Sequence, residues 1–179
     1  MIALNETLIL AIAIFSWVVY RLINWQRTGQ LAIGREILVN LFFGYLLIVA
    51  SLTFWPMYIN VTDLQPKQAN FQPLVKTLHM LRYMSPYVVM NILGNLLLLA
   101  PLGVFLPLLS PSYRRWWATL GTGFVVTLFI ELFQYFLAVR VFDVDDLILN
   151  TLGVGFGYGL FVLLAKIPFL ARWLQRSAE

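Results

Sequence analysis

The chain has 179 residues, of which 61% are hydrophobic and 11% are charged, against roughly 45–50% and about 25% in ordinary globular proteins. Because so few charged side chains cannot cover the surface of a soluble protein of this size, the composition predicts an integral membrane protein. The net charge is only +4, which excludes a nucleic-acid-binding patch. The chain has no Cys, so disulfides and thiolate chemistry are excluded. It has a single His, which excludes His-rich zinc sites.

Five apolar stretches are long enough to cross a membrane, which takes about 20 mostly apolar residues in a helix. We predict helices because unpaired strand edges cannot be satisfied in lipid. No internal repeat or low-complexity segment divides the chain, so residues 1–179 are expected to form one all-α domain, a polytopic membrane helix bundle. The predicted spans are 4–20, 36–56, 88–109, 117–138 and 147–168.

The distribution of basic residues predicts the orientation of these spans. Eight Lys and Arg residues fall in the connections 21–35 and 110–116 and in the C-terminal region, whereas four fall in 57–87 and 139–146. The richer side is expected to be cytoplasmic. The N-terminus is therefore predicted outside and the C-terminus inside, with 57–87 and 139–146 on the outer surface.

The long outer connection 57–87 is predicted to contain a short amphipathic helix after Pro73. This segment is too short to span the bilayer and suits a helix in the headgroup layer. Its polar face offers His79 and Arg82 as ligand contacts, although an interfacial side chain is the plainer interpretation of His79. The apolar face would carry Leu74, Leu78 and Leu81, and the polar face Lys76, Thr77, His79 and Arg82.

Three spans carry polar side chains toward their outer ends, where lipid makes such groups costly and usually functional. In the third span, a spacing of four residues puts the amides of Asn91 and Asn95 on one helical face. The fourth and fifth spans carry stripes: Thr119, Gly123, Thr127, Glu131, Gln134 and Tyr135, then Asp146, Asn150, Gly153 and Gly157.

These polar faces are expected to converge on one outward-facing site. The connection 139–146 would cover this site and bring Arg140 to its mouth. Asp143, Asp145 and Asp146 could hold Mg²⁺ or Ca²⁺ through oxygen ligands. Each feature also has a structural alternative: the amides can join neighbouring helices, the glycines can allow close packing, and the acids can be solvated, with Asp146 partly capping a helix.

The ordered polar set resembles the VanZ-like family of small bacterial membrane proteins. The matching segments are 70–74, 91–95, 101–103, 131–134 and 140–153, and the resemblance extends from about residue 35 to 165. It implies a multi-pass protein of the bacterial plasma membrane with a cell-envelope role, associated in the founding case with resistance to teicoplanin-type lipoglycopeptides. The chain departs from the family pattern at Val139, where Gly is usual, and at Thr127, where Ser is frequent.

Two kinds of function fit these residues. In the first, the site binds a membrane lipid, a lipid-linked cell-wall precursor or a lipoglycopeptide. In the second, a membrane enzyme acts on a phosphorylated lipid headgroup, with Glu131 as general acid or base, assisted by Arg140 and Asp146. A coupled transporter fits poorly because no inverted repeat is present. Separately, the glycine-rich face of the fifth span could join two copies of the chain. The ligand contacts predicted are Asn70, His79, Arg82, Asn91, Asn95, Gln134, Tyr135 and Asn150.

Overall fold

The computed structural model describes residues 2–3, 5–28, 33–55, 58–59, 69–74, 86–136, 142–168, 170 and 174. Among these residues, five helices are long and apolar enough to cross a membrane. The all-α class and the five predicted spans are therefore confirmed. The helices are α1 (Glu6–Thr28), α2 (Ile33–Phe54), α3 (Pro86–Leu109), α4 (Trp116–Phe136) and α5 (Val144–Leu164).

The chain divides into two compact units. The first comprises Met1–Leu64 with Leu137–Val139, and the second comprises Gln65–Phe136 with Arg140–Glu179. The first unit therefore holds α1 and α2, and the second holds α3, α4 and α5. The expectation of a single domain stays a prediction.

Polar and aromatic contacts join α1 to α2 in the first unit. The Trp17 indole N–H donates to Asn40 Oδ1 at 2.9 Å, and the Trp17 ring stacks on Phe43 with centroids 4.3 Å apart. Arg21 forms an ion pair with Glu36. These contacts fix the register of the two helices, since neither α1 nor α2 buries much of its apolar surface within the unit.

Helix α1 is longer than the sequence predicted, and this corrects the expected connection 21–35. The helix continues to Thr28, and α2 already begins at Ile33. The apolar pattern ends near residue 20, but backbone hydrogen bonds within a helix do not depend on an apolar surface. Arg21 can remain in the helix because its charge is met by Glu36.

Glycines allow α5 to approach α3 very closely in the second unit. A Cβ added at Gly153 would overlap the carbonyl oxygen of Leu96, and one added at Gly157 would overlap that of Ala100. On α3, a Cβ at Gly103 would overlap the Val154 carbonyl oxygen. Small residues allow this kind of backbone contact in membrane helices. Gly153 and Gly157 thus have the predicted packing role, and the helix they pack against is α3 of the same chain.

The connection between α3 and α4 contains a 3₁₀ helix, Pro111–Arg114, and polar groups tie it to the second unit. The buried Thr119 hydroxyl donates to the Tyr113 carbonyl oxygen at 2.6 Å, and the Tyr158 hydroxyl donates to the Arg114 carbonyl oxygen at 2.6 Å. Thr119 therefore stabilises the connection between α3 and α4. It lies at the opposite end of the polar stripe on α4 from Glu131.

Two pairs of two-residue strands add structure that the sequence did not predict. In the first unit, β1 (Ile2–Ala3) pairs antiparallel with β2 (Tyr58–Ile59). In the second, β3 (Ala69–Asn70) pairs parallel with β4 (Phe142–Asp143), with Asn70 opposite Asp143. The second pair brings part of the long connection onto the start of α5, where the candidate site lies.

Candidate functional site

Glu131 lies in the interior of the second unit, with only 3% of its surface exposed. Helix α4 places it one turn beyond the fully buried Thr127, because residues four apart share a helical face. Glu131 Oε2 accepts a hydrogen bond from the backbone N–H of Asp143 at 3.1 Å. The carboxylate is thus turned toward protein groups at the start of α5 and away from lipid.

Asp143, in β4, is bonded to three other elements: α5, β3 and α4. It is the N-cap of α5, since its Oδ1 accepts from the backbone N–H of Asp145 at 3.1 Å. The same oxygen accepts from Asn70 Nδ2 at 2.9 Å. The capping role expected in part for Asp146 therefore belongs to Asp143, because α5 begins at Val144, three residues earlier than the predicted span.

Asp145 holds the turn that follows β3. It is buried, and its Oδ1 accepts from the backbone N–H of Leu74 at 2.5 Å. Leu74 has a φ of 62°, in the left-handed region that a leucine rarely adopts. The turn is therefore fixed against α5 in a conformation that the residue itself disfavours.

Two side-chain pairs continue the network along α5. The Asn95 amide on α3 donates to Asp146 Oδ1. One turn further, Asn150 Nδ2 donates to Thr127 Oγ1 at 2.9 Å. Asn150 is 2% exposed, and its Oδ1 has no hydrogen-bond partner within the described part of the chain. Both α3 and α4 are thus joined to α5 by hydrogen bonds between amides, a carboxylate and a hydroxyl.

The remaining candidates on α3 and α4 differ in their surroundings. Gln134 is buried on the same stripe as Glu131, and Tyr135 is half-buried. Asn91 is exposed, one turn before Asn95 on α3. Asn91 therefore stands outside the buried network that Asn95 joins.

Several predicted features lie outside the described residues. They include His79, Arg82, Arg140 and Val139, and all of the proposed interfacial helix except Leu74. Their roles stay predictions.

Four carboxylates gather at the N-terminal end of α5, and their position has a physical basis. Asp145 and Asp146 lie in its first turn, Asp143 caps it, and Glu131 accepts from the cap residue. The positive end of the helix dipole and its exposed N–H groups favour negative charge at this place. In the described part of the chain, no three His, Cys, Asp or Glu side chains form a group that could hold a metal ion.

Some parts of the site could not be found from the sequence. The Leu74 and Asp143 donors are backbone N–H groups, which any residue except proline supplies. Thr127 was expected on the stripe, but its pairing with Asn150 depends on the rotation of α4 relative to α5. The signal available in the sequence was a hydroxyl residue, Thr127, four positions before a carboxylate residue, Glu131, within one apolar span.

The fold and this network define a multi-pass membrane protein with a buried polar site at the start of its last spanning helix. The VanZ/LLP1 family model matches residues 42–165, well over half of the chain. The chain therefore belongs to the VanZ/LLP1 family, which at the family level is associated with glycopeptide resistance. Comparison with curated proteins gave no match, and comparison with solved structures gave none.

Proposed function

We propose that this VanZ-like protein lies in the bacterial plasma membrane and binds a lipidated or lipid-linked ligand on its extracytoplasmic side. The observation that carries the proposal is the connected network of Glu131, Asp143 and Asn70. It links a carboxylate buried in a spanning helix to the connection predicted to face outward.

The energetics support a functional role for this network. A charged residue costs about 2.5–3.5 kcal/mol at the centre of a spanning helix on insertion scales and less toward the ends, where Glu131 lies, and ionisable residues within spans usually serve function. Two further pairs, Asn95 with Asp146 and Thr127 with Asn150, add polar groups between the same three helices. A ligand that contacts residues 69–74 would therefore act on the buried groups through the bonds of Asn70 to Asp143 and of Leu74 to Asp145.

The chemistry of the site supports a ligand with a polar head. Carboxylate and amide oxygens accept hydrogen bonds from hydroxyl and amide N–H groups, which are the donors of sugar and peptide heads. The basic residues predicted at the outer surface, Lys76, Arg82 and Arg140, would suit phosphate groups. Both kinds of head occur in lipid-linked cell-wall precursors, and sugar and peptide groups occur in lipoglycopeptides.

Antibiotic susceptibility tests the proposed role in cells. Expression of the chain in a susceptible bacterium is expected to raise the minimum inhibitory concentration of acylated teicoplanin several-fold, while that of vancomycin, which has no acyl chain, stays the same. Unchanged teicoplanin susceptibility in cells with verified membrane expression would contradict the proposal.

Lipids that co-purify with the protein test ligand binding directly. Mass spectrometry of the wild type is expected to identify a specific lipid with a polar head, and Arg140→Ala is expected to lose it. Arg35→Ala is the matched control, since Arg35 is exposed at the start of α2. Only bulk bilayer lipids in all three samples would argue against a ligand site.

A membrane enzyme is the second candidate, and one contact favours it. The Asp143 N–H fixes one oxygen of Glu131, and a general acid or base needs this kind of fixed orientation. Glu131→Gln retains the size and an acceptor oxygen but cannot cycle a proton. Loss of the resistance phenotype with normal folding would support catalysis, whereas a retained phenotype would support binding. Glu6→Gln in α1 is the matched control.

A further inference from the structure

The charged residues described in the second unit are divided between its two ends. The carboxylates lie around the start of α5, whereas the basic residues lie where α4 begins and where α5 has ended. Because no described carboxylate of the unit lies at the basic end, a negatively charged partner suits that end. The described carboxylates are Glu131, Asp143, Asp145 and Asp146, and the described basic residues are Arg114, Arg115 and Lys166.

Arg115 lies at the depth of the membrane surface. It directly precedes α4, whose apolar span begins at Trp116. Trp116 and Trp117 are 62% and 57% exposed, and tryptophan at the end of a span favours the boundary between headgroups and hydrocarbon. The Arg115 side chain is also exposed. The phosphates of the lipid headgroups are therefore within reach of its guanidinium.

The Trp117 ring orients the Arg115 guanidinium. The guanidinium carbon lies over the ring, 6.0 Å from its centroid, at the range of a cation–π contact. This contact leaves the five N–H donors of the guanidinium available, and Arg115 forms no side-chain hydrogen bond or ion pair with another described residue. An oriented guanidinium with available donors can bind a phosphate through two parallel hydrogen bonds.

The backbone that carries Arg115 is fixed on both sides. The Arg115 carbonyl oxygen accepts from the backbone N–H groups of Ala118 and Thr119 at 3.0 and 3.3 Å. The Arg114 carbonyl oxygen, one residue earlier, accepts from the Tyr158 hydroxyl of α5. The guanidinium is thus presented from a defined position, as a specific site requires. Because these bonds involve main-chain atoms of Arg115, a change of its side chain leaves them in place.

We propose that Arg115, oriented by Trp117, binds the phosphate of an anionic phospholipid in the leaflet where α4 begins. With the predicted orientation of the spans, this is the cytoplasmic leaflet. A lipid with a net negative headgroup is preferred over a zwitterionic lipid, because the latter carries no net charge to attract the basic end of the unit. The site lies at the opposite end of α4 from Glu131 and does not depend on the proposed function.

Native mass spectrometry of the full chain in detergent measures this binding, with phosphatidylglycerol as the probe and phosphatidylcholine as the zwitterionic comparison. Phosphatidylglycerol is expected to bind more tightly. Arg115→Gln should weaken its binding about fivefold, which corresponds to about 1 kcal/mol, and leave phosphatidylcholine unaffected. Arg35→Gln is the matched control and should bind like the wild type, because Arg35 is likewise exposed near the start of a span but has no cation–π contact with a described ring.

The role of the ring has its own measurement. Trp117→Leu keeps an apolar side chain at the boundary but removes the ring, so it is expected to weaken phosphatidylglycerol binding about threefold. Trp116→Leu is the control, since Trp116 is similarly exposed but has no described contact with Arg115. Arg115→Lys keeps the charge without the planar fork of donors. Its affinity should therefore lie between those of the wild type and Arg115→Gln.

Several outcomes would overturn the assignment. They are equal binding of the two lipids by the wild type, unchanged phosphatidylglycerol binding in Arg115→Gln, and an equal loss in Arg35→Gln, which would show a general effect of surface charge. Displacement of phosphatidylglycerol by an equal concentration of inorganic phosphate would assign the site to a soluble anion instead of a lipid. Equal losses in Trp117→Leu and Trp116→Leu would overturn the role of the ring. Circular dichroism checks that each variant retains its helices.

Discussion

At the level of single residues, Asp143 determines how the site is held together. One of its carboxylate oxygens caps α5 and accepts the Asn70 amide, while its own N–H donates to Glu131. A change at Asp143 therefore affects the connection at β3, the start of α5 and the buried carboxylate on α4 together.

Asp143→Ala is expected to lower the free energy of unfolding by roughly 2–3 kcal/mol, of which about 1 kcal/mol is the lost cap and the rest the lost Asn70 bond. Asp143→Asn should cost less, because the amide oxygen can still accept from Asp145. Unfolding in detergent micelles, followed by circular dichroism, measures both variants. Equal losses would show that the hydrogen bonds of the carboxylate do not account for its contribution.

Leu74 offers a test of backbone strain beside the site. A non-glycine residue in the left-handed region costs about 1–3 kcal/mol, whereas the added flexibility of glycine in the unfolded chain costs about 0.4–1 kcal/mol. Leu74→Gly is therefore expected to stabilise the fold by roughly 1 kcal/mol, with the Asp145 contact retained. The control is Gln72→Gly in the same turn, which has no positive φ and should destabilise slightly. A lower melting temperature in Leu74→Gly would contradict this account.

At the level of the helices, the glycines of α5 divide into two sets with opposite expected behaviour. Gly153→Ala and Gly157→Ala should destabilise the protein by about 1–3 kcal/mol, because the new methyl groups force α3 away. Gly155→Ala and Gly159→Ala should stabilise it by about 0.5–1 kcal/mol, the usual gain of alanine over glycine in a helix. Thermal unfolding of the four variants in one detergent makes the comparison, and a uniform response would contradict the close approach.

The spans could be predicted from the sequence because twenty apolar residues have few alternatives in a bilayer. The helix ends were harder to predict. From composition alone, the charged Arg21 is expected in a connection, but its ion pair with Glu36 allows α1 to continue past residue 20. The β3–β4 pair could not be predicted, because two residues carry no periodic pattern and their partners lie 73 positions apart.

The candidate site was accessible to sequence reasoning only in part. The spacing of Thr127, Glu131 and Gln134 predicted a common face on α4, and all three side chains are buried. The specific partners depend on how each helix is rotated against α5, which spacing within one helix does not determine. Asn95 and Asn91 illustrate this, since they share a face but only Asn95 reaches a carboxylate.

At the level of the whole molecule, the predicted orientation decides which side of the membrane the site faces. Since the chain has no Cys, single cysteines can be introduced without background. Gln72→Cys is expected to react with a membrane-impermeant maleimide in intact cells, and Ser112→Cys only after permeabilisation. Both side chains are exposed, so accessibility does not bias the comparison. The reverse pattern would place the site on the cytoplasmic side.

The order of the hydrogen-bond partners along the chain has a consequence for biogenesis. Asn95, Thr127 and Glu131 are synthesised before Asp146, Asn150 and Asp143, with which they pair. These three hydrogen bonds therefore cannot form until β4 and α5 have been synthesised. We therefore expect a chain that ends before residue 143 to insert its earlier spans without these bonds and to be degraded faster than the full-length chain.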